Sequence, residues 1–236
     1  MDEIAHTEQE KRITRRGSLV KLGGLLATAV AGGATAEARA GAGPAGVASG
    51  AVSCVLTPEQ TEGPYFLPGD KIRRNVTGGK PGTPLTLRLR VVDVSTCKPI
   101  KGAAVDIWHC DAGGVYSGTQ VQGTEDLRFL RGIQKTDAKG VATFQTIYPG
   151  WYQGRTVHIH VKVSLGGNVV HTGQLYFPDA LTDTVYVQAP YNQRPNRTTR
   201  NDADSIFRNG GSRSMLSLSK SGSGYVGAIK MGVQRT

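Results

Sequence analysis

The sequence predicts an all-β fold, an antiparallel β-sandwich built as a single domain, and three observations predict it. From residue 85 to the C-terminus short β-rich runs recur between turn signals such as KG, GGN, PD and SGSG. Apolar and polar residues alternate with period two, most clearly in Leu85, Leu87, Leu89 and Val91 against Thr86, Arg88 and Arg90. Long amphipathic helical stretches and internal repeats are missing, which disfavours helical, α/β and solenoid architectures.

Taken in order, residues 85–94 (LTLRLRVVDV) are the first strand, and residues 103–109 (AAVDIWH) read as the return limb of a hairpin with it. Residues 141–147 follow after the TDAKG turn. The run 156–163 (TVHIHVKV) puts Val157, Ile159, Val161 and Val163 on one face and His158 and His160 on the other. Runs at 169–177, 184–188, 215–219 and 224–231 complete about eight strands, the first two rich in β-branched and aromatic residues. One helical turn is expected, at 203–208 within NDADSIFRN.

Ahead of the sandwich, Arg15 and Arg16 precede a modestly apolar stretch at 25–36 that ends in small residues around 38–40. This is the pattern of a twin-arginine signal peptide over residues 1–40, and it predicts export to the periplasm or the extracellular space. A membrane span needs roughly 18 or more apolar residues; this stretch is shorter and rich in Gly and Ala, so no stable membrane insertion is expected. Residues 41–53, GAGPAGVASGAVS, read as a flexible linker, which leaves 54–236 for the sandwich.

The full chain carries 28 Lys and Arg against 18 Asp and Glu; without residues 1–40 the balance is 22 against 13, a net charge of +9. The sequence holds no helical basic run, zinc knuckle or aromatic-basic interleaving, so a nucleic-acid partner is not expected. Attraction of anionic aromatic acids or of an acidic surface fits the charge better. The three cysteines allow one bridge and one free thiol in an oxidising compartment. Cys97 sits in the turn of the apparent hairpin and Cys110 beyond its far end, about 20 Å away at the strand rise. Cys54 with Cys97 is therefore the expected disulfide, and Cys110 the free, partly buried thiol.

Chemistry concentrates in PGWYQGRTVHIHV, residues 149–161. On a strand His158 and His160 point the same way, with Cα atoms roughly 6.5–7 Å apart, so that two imidazoles can converge on one metal ion. Tyr152 and Arg155 lie just before them, and a second tyrosine, Tyr116, closes the glycine-rich turn of WHCDAGGVYSG. Phenolate oxygen is a hard anionic donor suited to trivalent iron.

In this set the chain resembles the intradiol ring-cleavage dioxygenases, the family of protocatechuate, catechol and hydroxyquinol dioxygenases. The Gly-x-Tyr turn at Tyr116, the Pro-Gly-x-Tyr turn at Tyr152, the Arg-x-x-His-x-His run from Arg155, and GQLYF with Gln174 follow the family's order. So do TDAKG at 136–140 and TPEQTEGPYF at 57–66, which looks like the arm at the mouth of the family's site. The resemblance covers about residues 57–177. It implies a β-sandwich and a mononuclear non-haem Fe(III) held by Tyr116, Tyr152, His158 and His160. It implies cleavage of a small-molecule catechol by dioxygen, between the hydroxylated carbons, to a cis,cis-muconate-type product. Tyr152 would take up a substrate proton, Arg155 stabilise developing negative charge, and Gln174 hydrogen-bond nearby. Tyr65 would border the substrate or serve packing, and Tyr148, four residues before Tyr152, is the alternative to it if the alignment slips. The sequence sets no oligomeric state.

Two other readings meet the same histidines. An exported, non-catalytic β-sandwich binding protein could retain the metal site, and a zinc hydrolase could use His158 and His160. The hydrolase lacks a third ligand and any HExxH helix, and a binding module has no evident use for the two tyrosines.

Overall fold

The computed structural model describes residues 54–235. The expected signal at 1–40 and linker at 41–53 lie outside the described residues. Eight strands form: β1 (Pro84–Asp93), β2 (Ala104–Trp108), β3 (Arg131–Lys135), β4 (Val141–Ile147), β5 (His158–Leu165), β6 (Asn168–Tyr176), β7 (Ser217–Ser221) and β8 (Gly224–Val233). Two short helices, α1 (Asp179–Tyr186) and α2 (Ser205–Arg208), interrupt the sequence of strands. Among the described residues no helix is long and apolar enough to cross a membrane.

The strands make two four-stranded sheets, ordered β4-β1-β8-β7 and β3-β2-β5-β6. Every neighbouring pair is antiparallel except β1 with β8, where the last strand returns parallel to the first. The alternation in β1 sends Leu85, Leu87, Leu89 and Val91 inward; Val105 and Ile107 of β2 and Ile159, Val161 and Val163 of β5 meet them in one buried core with Phe144 and Met231. Fully burying such a side chain contributes about 1.5–3 kcal/mol, and this layer holds the sheets together. What faces outward from the second sheet is therefore free for chemistry.

Three expectations change. β1 and β2 are not a hairpin: they belong to different sheets, and the turn holding Cys97 carries the chain from one layer to the other. Cys54 and Cys97 are joined by a disulfide with Cα atoms 5.3 Å apart, which ties the start of the described chain to that turn. Residues 184–188 end a helix rather than forming a strand. Pro178 precedes α1, Asp179 favours its positive N-terminal end, and Thr182 and Val185, three apart, share its buried face; β-branched composition alone misleads here. β3 was not foreseen, because RGIQK has a single large apolar residue. Its strand comes from pairing with β2 along its whole length.

Residues 54–83 cross the edges of both sheets as an extended arm. Its backbone pairs in turn with Gly232 of β8, Thr172 of β6, Ile133 of β3 and Gln145 of β4. The arm thereby passes over the outer face of the second sheet.

Candidate metal centre

Sheet register builds the site. Across β3, β2, β5 and β6 the paired residues are Arg131, Trp108, His160 and Gln174, and paired residues share a face. This row lies on the side opposite Val161 and Ile107, away from the core. Trp108 stacks on His160 with ring centres 4.9 Å apart and planes within 6°. One step along β5, His158 pairs with Tyr176.

The two histidines converge: His158 Nε2 and His160 Nε2 are 3.1 Å apart. The backbone carbonyl of Thr156 accepts a hydrogen bond from His158 Nδ1 at 2.6 Å, so His158 Nε2 presents its lone pair. Burial keeps both rings neutral, lowering His158 to about 3 and His160 well below the ordinary imidazole value, with Arg155 adding to the effect in each.

Both tyrosines arrive on turns that need glycine. Asp111 accepts hydrogen bonds from the N–H groups of Gly113 and Val115 and from Lys80 Nζ, shaping the turn that delivers Tyr116. Gly114, at φ +82°, and Gly150 let this turn lie backbone to backbone against the Pro-Gly-x-Tyr turn. A Cβ at Gly114 would sit 2.3 Å from the Trp151 carbonyl oxygen, and one at Gly150 would sit 2.3 Å from that of Asp111. The close approach brings the rings of Tyr116 and Tyr152 to 5.6 Å. Tyr152 Oη is 3.1 Å from His158 Nε2. Burial pushes the Tyr152 phenol up to about 12, with Arg155 opposing, and pushes Tyr116 well above the usual phenol value.

Arg155 lies across the opening of this cluster. Its Nη1 is 3.4 Å from Tyr152 Oη and 3.5 Å from His158 Nε2, its Nη2 donates to Gln174 Oε1, and its Nε donates to Asp204 Oδ2 at 2.9 Å. Gln174 Nε2 donates to the Thr61 carbonyl, which ties it to the arm. Tyr65 of the arm stacks on Tyr116 at 4.2 Å and meets Tyr152 edge-on at 6.1 Å. Cys110 packs beside Trp108 and Tyr116 and is buried outright rather than partly; burial pushes its thiol up to about 12, so it stays protonated. Tyr148 is elsewhere, in the core, with its hydroxyl 2.8 Å from Thr182 Oγ1. His109 is likewise apart, between Thr146 Oγ1 and the Cys110 carbonyl.

The cluster has the form of a cation site. Tyr116 Oη is buried with no hydrogen-bond partner among the described residues, a costly state for a hydroxyl unless a ligand meets it. Two neutral imidazole nitrogens and a second phenol oxygen share its pocket. A hard trivalent metal matches a set of two phenolates and two imidazoles.

Sequence reasoning missed Asp204, Trp108 and Arg131. Asp204 is buried and accepts from Arg155 Nε, from Thr156 N at 2.8 Å, and from the N–H groups of Ile206 and Phe207 at the start of α2. An Asp directly before a helical turn is a capping signal, but the second role of its carboxylate depends on tertiary structure. Arg131 donates from Nε and Nη2 to the Ser117 carbonyl, fixing the residue after Tyr116.

A family model described as Dioxygenase matches residues 61–202. The structure resembles an intradiol ring-cleavage dioxygenase from Tetranychus urticae, with a TM-score of 0.72 and 38% identity, covering 77% of this chain and 95% of that one. It also resembles the dioxygenase domain of a dioxygenase carbohydrate-binding protein fusion from Streptomyces sp. SirexAA-E, at 34% identity and a TM-score of 0.59, covering 77% and 99%. A catechol 1,2-dioxygenase 1 from Acinetobacter lwoffii is 31% identical over 121 residues, 48% of this chain and 39% of that protein. The matched region is thus well under half of that curated relative.

Proposed function

Because the chain belongs to the intradiol ring-cleavage dioxygenase family, we propose that it opens a catechol-type diol with dioxygen, between the two hydroxylated carbons, to a cis,cis-muconate-type product. One observation carries this reading: the paired Nε2 atoms of His158 and His160, 3.1 Å apart, with the hydroxyls of Tyr116 and Tyr152 turned into the same buried pocket. Those four residues would hold a mononuclear ferric ion. When bound, that ion would supply Lewis acidity that favours loss of both hydroxyl protons from the diol, and a diol in its dianionic form is electron-rich at ring carbon.

The chain's own residues supply the rest. Tyr152 Oη, at the open side of the pocket, is placed to take up a substrate hydroxyl proton. Arg155 aims Nη1 at the same region and stabilises negative charge that develops on the ring. Gln174 orients Arg155 through its carbonyl oxygen while its amide holds the arm. Tyr65 and Tyr116, stacked in parallel, form an aromatic wall for a planar ring. Trp108 over His160 closes the inner side against water. The intact set of donors, with Arg155 and Gln174 beside it, speaks against a non-catalytic module.

A twin-arginine signal in residues 1–40 would export the protein already folded around its metal. The test of the catalytic reading is ferric reconstitution of the purified protein, followed by metal analysis, visible absorption and oxygen uptake with a panel of catechols. One ferric ion per chain, a tyrosinate-to-iron colour and catechol-dependent uptake are expected; a colourless, iron-free protein would overturn it.

A further inference from the structure

The opposite face of the sandwich carries a second feature that the reaction does not use. On the outer side of the first sheet, Arg88 and Arg90 of β1 pair with Ala228 and Lys230 of β8, and Val141 of β4 pairs with Arg90. With Arg213 and Met215 at the approach to β7, these line an open groove of about 560 Å³. Residues two apart on a strand stand roughly 6.5–7 Å apart, and neighbouring strands about 4.8 Å apart. The cations thus form a short array, flanked by apolar Val141 on the β4 side and Met215 on the β7 side.

No carboxylate lines this groove. Arg88, Arg90 and Arg213 are exposed and make no ion pair among the described residues. Asp137, the acidic group that Arg88 influences, is held low chiefly by the N–H of Val141, and its carboxylate is engaged by the backbone of Lys139 and Val141. Exposed like charges on one face destabilise each other, so the three arginines cost stability unless an anion meets them.

Three exposed arginines in one trough, Arg88, Arg90 and Arg213, ask for a ligand with several negative charges along its length, more than one small carboxylate offers. Guanidinium forks match carboxylate oxygens two at a time. A lipid surface suits a face with projecting Trp, Phe or Leu, and none of these lines the groove. A single-stranded nucleic acid needs aromatic platforms for its bases, and no aromatic residue lines the groove. We infer that this groove docks an acidic polysaccharide, a uronate-bearing chain lying across the strands from β4 toward β7, with its carboxylates against Arg88 and Arg90 and its sugar faces on Val141 and Met215. The catalytic centre, on the other sheet, stays open while the enzyme is held on the polymer.

The experiment is retention of the protein on immobilised polygalacturonate, compared with neutral dextran, anionic phospholipid vesicles and single-stranded DNA at equal ionic strength. Expected are retention on polygalacturonate but not dextran and release by added salt. The Arg88→Gln/Arg90→Gln variant should show a loss of about tenfold or more in affinity, since a charge-assisted hydrogen bond contributes enough for that factor, with turnover unchanged. Arg213→Gln, at a surface turn, provides a second, milder loss if the double variant folds poorly. Undiminished retention of these variants, or tighter arginine-dependent binding to vesicles or DNA than to polygalacturonate, would overturn the proposal. The outcome is independent of whether the catalytic reading stands.

Discussion

Asp204 and Arg155, 49 residues apart in the chain, form a buried ion pair at 2.9 Å, and the same carboxylate oxygen accepts the N–H of Thr156 at 2.8 Å. One acidic side chain thus fixes the guanidinium that covers the site and the peptide that leads into the histidine strand. Burial opposes its ionisation, yet the Thr156 N–H and Arg155 outweigh burial and hold the carboxyl below the usual carboxylate range.

Asp204→Asn should therefore leave the metal content intact while turnover falls by about tenfold at little-changed KM, because the guanidinium is no longer aimed. Removing one partner of a buried pair costs about 3–5 kcal/mol, and the 15% exposure of the Arg155 side chain puts the expected loss at the low end. The folded pKa is depressed, so the stabilisation is present above the unfolded carboxylate value and is lost as pH falls through the folded one. Thermal melts of wild type and variant should accordingly converge in acid. A variant with wild-type turnover would show that the pair only braces the fold.

Variants of two proposed ligands and of Arg155 should separate by metal content and colour. His160→Ala should lose iron, whereas Tyr152→Phe should keep most of it with a shifted visible band and slower substrate deprotonation. Arg155→Ala should keep colour and lose about 10²-fold or more in turnover, the scale of a missing electrostatic stabiliser. Metal analysis beside stopped-flow absorption checks all three, and iron retained in full by His160→Ala would remove that residue from the set.

Asp106 of β2 feels the charges of Asp70, Arg131, Lys162 and Glu62. Burial, helped by Asp70, raises its carboxyl to about 7 against the pull of Arg131 and Lys162, and one of its oxygens is buried with no hydrogen-bond partner among the described residues. A raised acid favours folding when protonated, so this group's unfavourable contribution grows as pH rises from the unfolded value of about 4 toward 7. Asp106→Asn should then raise the melting temperature at pH 8, with the gain vanishing below about pH 4. Equal melting temperatures at pH 8 would show that Arg131 and Lys162 already balance the charge.

Replacing Arg15 and Arg16 by lysine should leave the protein in the cytoplasm, since a twin-arginine route reads that pair. Cell fractionation with an antibody decides it, and unchanged export of the variant would mean a different route.

Much of the centre was legible because strand periodicity and short turns are local. His158 and His160 share a face for the same reason that Val157 and Ile159 share the other, and the two tyrosine turns announce themselves by glycine. What escaped was set by pairing between distant segments. Trp108 stacks on His160 only because β2 lies beside β5 in that register. Asp204 finds Arg155 only after residues 178–204 have folded back. The apparent hairpin of β1 and β2 failed likewise: adjacency in sequence suggested pairing, but the inward faces of both strands are satisfied by placing them in opposite layers of one core. Residues 184–188 show the limit of β-branched composition, which gave way to a buried face at helical spacing.

The central claim is ring opening between the two hydroxylated carbons. Its most direct test is product identification: the ferric protein incubated with catechol under ¹⁸O-labelled dioxygen, and the product analysed by NMR and mass spectrometry. The expected product is a cis,cis-muconate carrying two labelled oxygen atoms, one in each carboxylate, with none formed by His160→Ala. A ring opened beside the hydroxyls, giving a semialdehyde, or no ring-opened product from iron-loaded protein across the catechol panel, would contradict it.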